Sequence, residues 1–122
     1  MNIEGSWINQ NGSTVDFEVD RQGRLAGHYC SRKGRAASGL KYPICGIQNG
    51  ELVSFHVDWR DAGANLHAIT SFTGRCAVDA DGHDVIHTVW VLARQFEDEA
   101  REKPTQVWNT FLTNSDVFRR NS

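Results

Sequence analysis

Asn49-Gly50-Glu51-Leu52-Val53-Ser54-Phe55-His56-Val57-Asp58-Trp59 is the stretch that decides the fold. Val53, Phe55, Val57 and Trp59 alternate with Ser54, His56 and Asp58, a period of two that sets four apolar groups on one face of an extended strand. The Asn49-Gly50 pair ahead of it is a strong hairpin signal, because both residue types tolerate the positive φ of a tight turn. Tyr42–Gln48 then reads as the antiparallel partner.

The same grammar extends in both directions. Towards the N-terminus, Ser6–Gln10 leads through Asn11-Gly12 into Ser13–Val19, where Val15, Phe17 and Val19 alternate with Asp16 and Glu18. Asp20–Gly23 turns the chain into Arg24–Ser31, and Arg32–Leu40 is a loop of small and basic residues. Towards the C-terminus, Arg60–Asn65 is a loop, Leu66–Val78 a long strand, Asp79–Gly82 a turn and Val85–Ala93 a strand. A polar loop, Arg94–Pro104, precedes Gln106–Thr113 as the last strand; Glu97–Lys103 within it reads as solvated. Eight strands joined mostly by short turns either split into a sandwich or close on themselves, and a closed eight-stranded interior is filled or holds one small ligand.

The bulk numbers exclude several classes. A net charge of -2 with 23% charged residues gives no basis for electrostatic capture of nucleic acid or an anionic membrane. No apolar run nears the roughly 18 residues of a membrane helix. Met1–Trp7 has neither a basic n-region nor an apolar h-region, so no signal peptide is read there. Cys30, Cys45 and Cys76 are an odd count with no zinc-site spacing, and read as small buried or half-buried residues. A Cys30–Cys45 bridge would require the two to lie directly opposite each other. Asp79–Asp84 lacks the later glutamate of a calcium loop and reads as a hairpin turn. His83 and His87 lie roughly 13 Å apart on a strand, too far to share an ion.

The inward faces carry the functional signal. Asn9, Ser13, Tyr29 and Ser31 are polar groups from separate segments at inward positions, alongside Trp59, Phe72 and Trp90. Buried polar groups need partners, and an aromatic cavity with a few convergent polar groups describes a small-molecule site.

At these residues the sequence resembles the avidin family of biotin-binding barrels. The resemblance runs from about Gly5 to Thr113 and rests on Gly5-Ser6-Trp7-Ile8-Asn9-Gln10-Asn11-Gly12-Ser13-Thr14, Gly27-His28-Tyr29-Cys30-Ser31 and Phe55-His56-Val57-Asp58-Trp59. Ser71-Phe72-Thr73-Gly74, His87-Thr88-Val89-Trp90-Val91-Leu92 and Asn109-Thr110-Phe111 complete it. It implies an all-β, eight-stranded antiparallel up-and-down β-barrel in one domain, 1–122, with the barrel over about 5–113 and a short polar tail containing Arg119-Arg120. It implies a binding protein without turnover or cofactor, secreted, with biotin as ligand. Asn9, Ser13 and Tyr29 match donors to the ureido oxygen, and Ser31 and Asn109 match acceptors for its N–H groups. Trp59, Phe72 and Trp90 match the aromatic walls, with Leu92 beside them, and Thr70 matches a hydroxyl near the sulfur. Asn11, Lys33 and Ala68 complete the expected ligand set.

Two departures from the family pattern stand out. Ala68 replaces a serine that touches the carboxylate, and Arg32-Lys33-Gly34-Arg35 brings cations into a loop that is usually small or apolar. The tryptophan that tetrameric members lend to a neighbour just before the last strand falls at Glu102–Lys103, so weaker binding than in the tightest members is expected. Val85, Val89 and Val91, with His87 and with Trp108 on the last strand, form an outward face suited to self-association, and the absence of the lent tryptophan puts a dimer first and a tetramer second. Two other readings stand beside this one: a barrel for another small acid, and a protein-interaction or inhibitor module using Arg32–Leu40.

Overall fold

The computed structural model describes residues 1–32, 40–60, 67–95 and 107–121, apart from the side chains of Trp108 and Asn109. Eight strands run β1 (Gly5–Asn9), β2 (Thr14–Val19), β3 (Arg24–Cys30), β4 (Lys41–Asn49), β5 (Leu52–Asp58), β6 (Ala68–Val78), β7 (Asp84–Arg94) and β8 (Phe111–Arg120). Each pairs antiparallel with its neighbours in sequence, and β8 returns to β1 to close the barrel. The β4–β5 hairpin turns at Gly50-Glu51, one residue later than the sequence reading, with Asn49 paired to Leu52 and Gly50 at φ 59°. The Asp79–Gly82 turn is held by the Asp79 carboxylate, whose Oδ1 accepts from the Asp81 and His83 backbone N–H groups.

The alternation in the first seven strands does what the pattern predicts. Val15, Phe17, Leu25, Val53, Phe55, Val57, Phe72 and Ile86 are buried inside, while Asp16, Glu18 and His56 lie outside. Gly27, an inward position on β3, must be glycine: its φ is 148° and a Cβ would overlap the Asp16 carbonyl oxygen. The lower half of the barrel is packed with aromatic rings. Phe55 stacks on Phe72 at 4.6 Å, and Phe17 and Phe118 meet Phe55 edge-on at 5.2 and 6.4 Å. Each such burial is worth about 1.5–3 kcal/mol.

The last strand departs from expectation. Gln106–Thr113 is not β8; Val107–Thr110 forms a 3-10 turn, and the strand occupies Phe111–Arg120. Arg119-Arg120 is therefore not a solvated tail. Arg119 Nη1 bonds Asp79 Oδ2 at 2.8 Å, and Arg120 pairs in register with Trp7. Trp108 lies in the turn, not on the strand.

The cysteines also differ. Cys30 lies opposite Lys41, and Cys45 opposite Ala26 and His56, so the Cys30–Cys45 bridge has no geometry; all three are free. Cys45 is exposed, not buried, with its Sγ 2.9 Å from His56 Nε2.

Arg120 caps one end of the barrel. Its guanidinium sits 4.2 Å from the Trp7 ring centroid and bonds the carbonyls of Asn2 and Glu4 and the Asp84 carboxylate. Ile3 is thereby pinned, fully buried, beneath the barrel, with Trp7 Nε1 donating to its carbonyl at 2.8 Å. Arg120→Ala is expected to cost about 2 kcal/mol through the lost cation–π contact and hydrogen bonds, lowering the unfolding midpoint by roughly 6–8 °C. Scanning calorimetry would measure it, and a shift under one degree would mean that Arg120 does not hold this end shut.

Candidate functional site

Above Phe72 the interior opens. Rings fill the lower half, but at the next inward level the strands carry Asn9, Ser13, Tyr29, Ser31 and Thr70, groups too small or too polar to close the space. A cavity of about 390 Å³ remains, within the size range of small-molecule sites. The polar end is built from hairpins and strand ends. Asn9 ends β1, and its Oδ1 accepts from the backbone N–H groups of Asn11 and Ser13, which fixes the β1–β2 turn. That leaves the Asn9 amide as a donor aimed inward, with Nδ2 bonded to Asp116 Oδ2 at 3.1 Å. Ser13 Oγ accepts from the Arg32 N–H at 2.9 Å and is hydrogen-bonded to the Tyr29 hydroxyl, so its own geometry is fixed from two sides.

The apolar walls are positioned by one another. Tyr29 meets Trp59 edge-on at 5.8 Å and Phe72 at 5.6 Å. Trp59 is held from behind by Tyr42 at 4.8 Å, and its Nε1 donates to Thr70 Oγ1 at 2.9 Å. Trp90 and Leu92, half-buried on β7, form the facing wall.

The residues expected from sequence divide into three groups. Asn9, Asn11, Ser13, Tyr29, Ser31, Trp59, Thr70, Phe72, Trp90 and Leu92 line this one cavity. Ala68 lies one inward position further along β6, in a separate hollow on the rim. Lys33 and the Asn109 side chain fall outside the described residues. Residue 109 belongs to the 3-10 turn before β8, not to the strand.

Sequence reading missed Asp116. It sits on the inward face of β8 opposite Thr88, is 6% exposed, and accepts from Asn9 Nδ2 and from Gln10 Nε2 at 2.8 Å. Its backbone carbonyl is tied by the Thr88 hydroxyl at 3.0 Å. The signal was present: Asp116-Val117-Phe118 has the same form as Asn109-Thr110-Phe111 and occurs later in the chain. Asn114, also on β8, lines the cavity and was likewise missed. Moving β8 changes a further expectation. The position just before the last strand lies in Val107–Thr110, which contains Trp108, not at Glu102–Lys103; the arguments from a missing tryptophan, for weaker binding and for a dimer over a tetramer, lose their basis.

Burial pushes the Tyr29 phenol up to about 12, and the Ser13 hydrogen bond offsets part of that rise. Tyr29 is thus a neutral donor throughout the physiological range. The folded protein keeps this proton between the ordinary phenol value of 10.0 and about 12, where the unfolded chain has lost it. Stability is therefore independent of this group below pH 10 and falls as pH rises through that window. Urea midpoints taken from pH 9 to 11.5 should decline less steeply in Tyr29→Phe than in the parent chain; equal slopes would show that Tyr29 is not held neutral by burial.

Comparison with known proteins agrees with this geometry. The Avidin family profile matches residues 1–121. The chain is similar to afifavidin of Afifella pfennigii, 37% identical over 95 residues that cover 76% of this chain and 58% of afifavidin. It is similar to hoefavidin of Hoeflea phototrophica, 31% identical over 127 aligned positions that cover 88% of this chain and 76% of hoefavidin. The chain thus spans less than two thirds of afifavidin's length in that match. Among solved structures, a rhizavidin–biotin complex superposes with a TM-score of 0.81 at 29% identity, covering 99% of this chain and 93% of rhizavidin. The closed meander, the polar-ended aromatic cavity and the profile match along nearly the whole chain establish that this protein belongs to the avidin family.

Proposed function

We propose that the protein binds biotin, without turnover, in the open half of its barrel. One observation carries the reading: the side chains of Asn9, Ser13 and Tyr29, all able to donate, and the Asp116 carboxylate line one end of a single cavity with aromatic walls. A cyclic urea has that complement, a polarised oxygen needing several donors and flanking N–H groups needing acceptors. Asn9, Ser13 and Tyr29 serve the oxygen. Ser31 and Asp116 accept from the N–H groups, Asp116 taking the place that the sequence reading gave to Asn109. Trp59, Phe72, Trp90 and Leu92 cover the rings, and dispersion and burial against them supply most of the gross affinity. Thr70 stands beside them for the sulfur. The similar rhizavidin structure is a biotin complex, which favours this ligand over another small acid. The open cavity argues against a solid inhibitor barrel.

Self-association belongs to the same proposal. Ile69, Val89, Val91 and Phe111 are exposed on the outer faces of β6, β7 and β8. Ile69 is paired to Ala93 and Ala93 to Phe111, so the patch is continuous across three strands. Val85, expected in this patch, is buried and takes no part. A two-fold dimer covers such a face with one set of contacts.

Thermal unfolding with excess biotin tests the ligand, since binding to the folded state alone raises stability by RT ln(1 + [L]/Kd). A shift of many degrees is expected, reduced strongly in Asn9→Ala, which removes a donor from a dry site; no shift in the parent chain would remove biotin as the ligand. Light scattering should give twice the 13.7 kDa chain mass, falling to one chain in Val91→Glu. A monomeric parent would refute the dimer.

A further inference from the structure

The outer wall of the barrel sets a thiol against a base. Cys45 on β4 and His56 on β5 are directly opposed in register, and both are exposed on the outward face. Residues paired in this way across an antiparallel ladder have Cβ atoms about 4.5–5.5 Å apart. The two side chains meet: Cys45 Sγ lies 2.9 Å from His56 Nε2. A nucleophile and a base within hydrogen-bond reach form the pairing that activates a thiol, because the thiolate, not the thiol, is the attacking species.

The flanks of this pair are open. Cys45 faces Ala26 on β3 and His56 faces Ser71 on β6, both small and both exposed. Asp58, two residues along β5 from His56, is engaged by Arg60 through both carboxylate oxygens, so no uncompensated negative charge stands beside a thiolate there. The apolar patch on β6, β7 and β8 includes neither β4 nor β5, which leaves the pair accessible in a dimer built on that patch.

The other two thiols are placed differently. Cys76 is buried opposite Ile86, and burial pushes its thiol up. Cys30 is half-buried, with Thr14 and Lys41 opposite it. An ammonium there favours a thiolate by its charge but, being already protonated, takes no proton from it. Neither cysteine faces Cys45 across the sheet, so the second sulfur of any disulfide at Cys45 has to come from outside the chain.

We propose that Cys45 is a modification site for small disulfides of the glutathione class, with His56 as the acceptor of its proton. His56 Nε2 takes the proton from Sγ, and the Cys45 thiolate attacks one sulfur of the small disulfide. The S–S bond of that disulfide breaks as the bond to Cys45 forms, and the expelled thiolate leaves with the proton from His56. The products are a mixed disulfide on Cys45 and one small thiol, so the exchange needs no further oxidant, and excess small thiol reverses it. The site lies on the outside of the wall and does not depend on the biotin reading.

Incubation with oxidised glutathione at neutral pH, followed by intact-mass and peptide-mass spectrometry, tests this. One adduct per chain is expected, on Cys45, forming about tenfold faster than on Cys30 or Cys76 and removed by dithiothreitol. The same factor should separate the folded chain from a short peptide carrying the sequence around Cys45, a comparison that needs no variant. His56→Gln, with an unchanged unfolding midpoint, should bring the Cys45 rate down to that of the peptide. Adducts appearing first on Cys30, a parent rate equal to the peptide's, an undiminished rate in folded His56→Gln, or disulfide-linked chains in place of the adduct would each overturn the proposal.

Discussion

The Asp116 carboxylate, held between the side-chain amides of Asn9 and Gln10, is the contact on which the rest of the structure depends. A barrel has one seam where its first and last strands meet, and here that ladder registers only Trp7, Ile8 and Asn9 against β8. Side chains extend it where the backbone stops. Gln10 Oε1 accepts from the Val117 N–H at 3.0 Å, while its Nε2 reaches Asp116. A buried carboxylate is tolerated when its oxygens are hydrogen-bonded, and the two amides serve one oxygen each, so removing either would take the side-chain donor from one of them. The same contact orients the Asn9 amide at the polar end of the cavity. Closure and site preorganisation are therefore one interaction, and preorganisation of that kind reduces the ordering cost of binding.

Phe72 divides the interior into a packed half and an open half. Below it, stacked and edge-on rings fill the space between strands, and Ile3 with Arg120 over Trp7 closes the end. Above it, hydroxyl and amide side chains join the rings of Tyr29, Trp59 and Trp90 on the inward face. The cavity is thus a consequence of residue size and polarity changing along each strand, on a backbone that is continuous throughout. Rigid packing below supports the walls above, because Tyr29 and Phe72 take part in both.

The strands that a period of two describes well are those whose inward residues are apolar. In β2 and β5 the alternation Val15, Phe17, Val19 and Val53, Phe55, Val57 is uninterrupted, and those elements form as read. In β8 the inward positions are Leu112, Asn114, Asp116 and Phe118, and the strand ends in two arginines. Half of that inward set is polar because it faces the cavity, so the hydrophobic signal fades where the functional site lies. Val107 and Phe111 then draw the reading towards the N-terminal side, to a segment whose Val107–Thr110 part is a 3-10 turn. Asp116 was overlooked for the same reason that it matters: a polar residue on a barrel's inner face looks like an error in the pattern until the neighbouring amides are in view.

By itself the sequence determined the strand count, the meander order and the aromatic and polar residues, Asn9, Ser13 and Tyr29 among them, that line the cavity. Those features are local: they depend on alternation and turn chemistry within a few residues, and on motifs that keep their order along the chain. Tertiary structure decided the register of β8, the acceptor at Asp116, the separation of Cys30 from Cys45, and the placing of Cys45 opposite His56. Each of these depends on which residues meet across strands. A shift of one residue in a strand reverses every side chain on it, and only closure of the barrel fixes that choice.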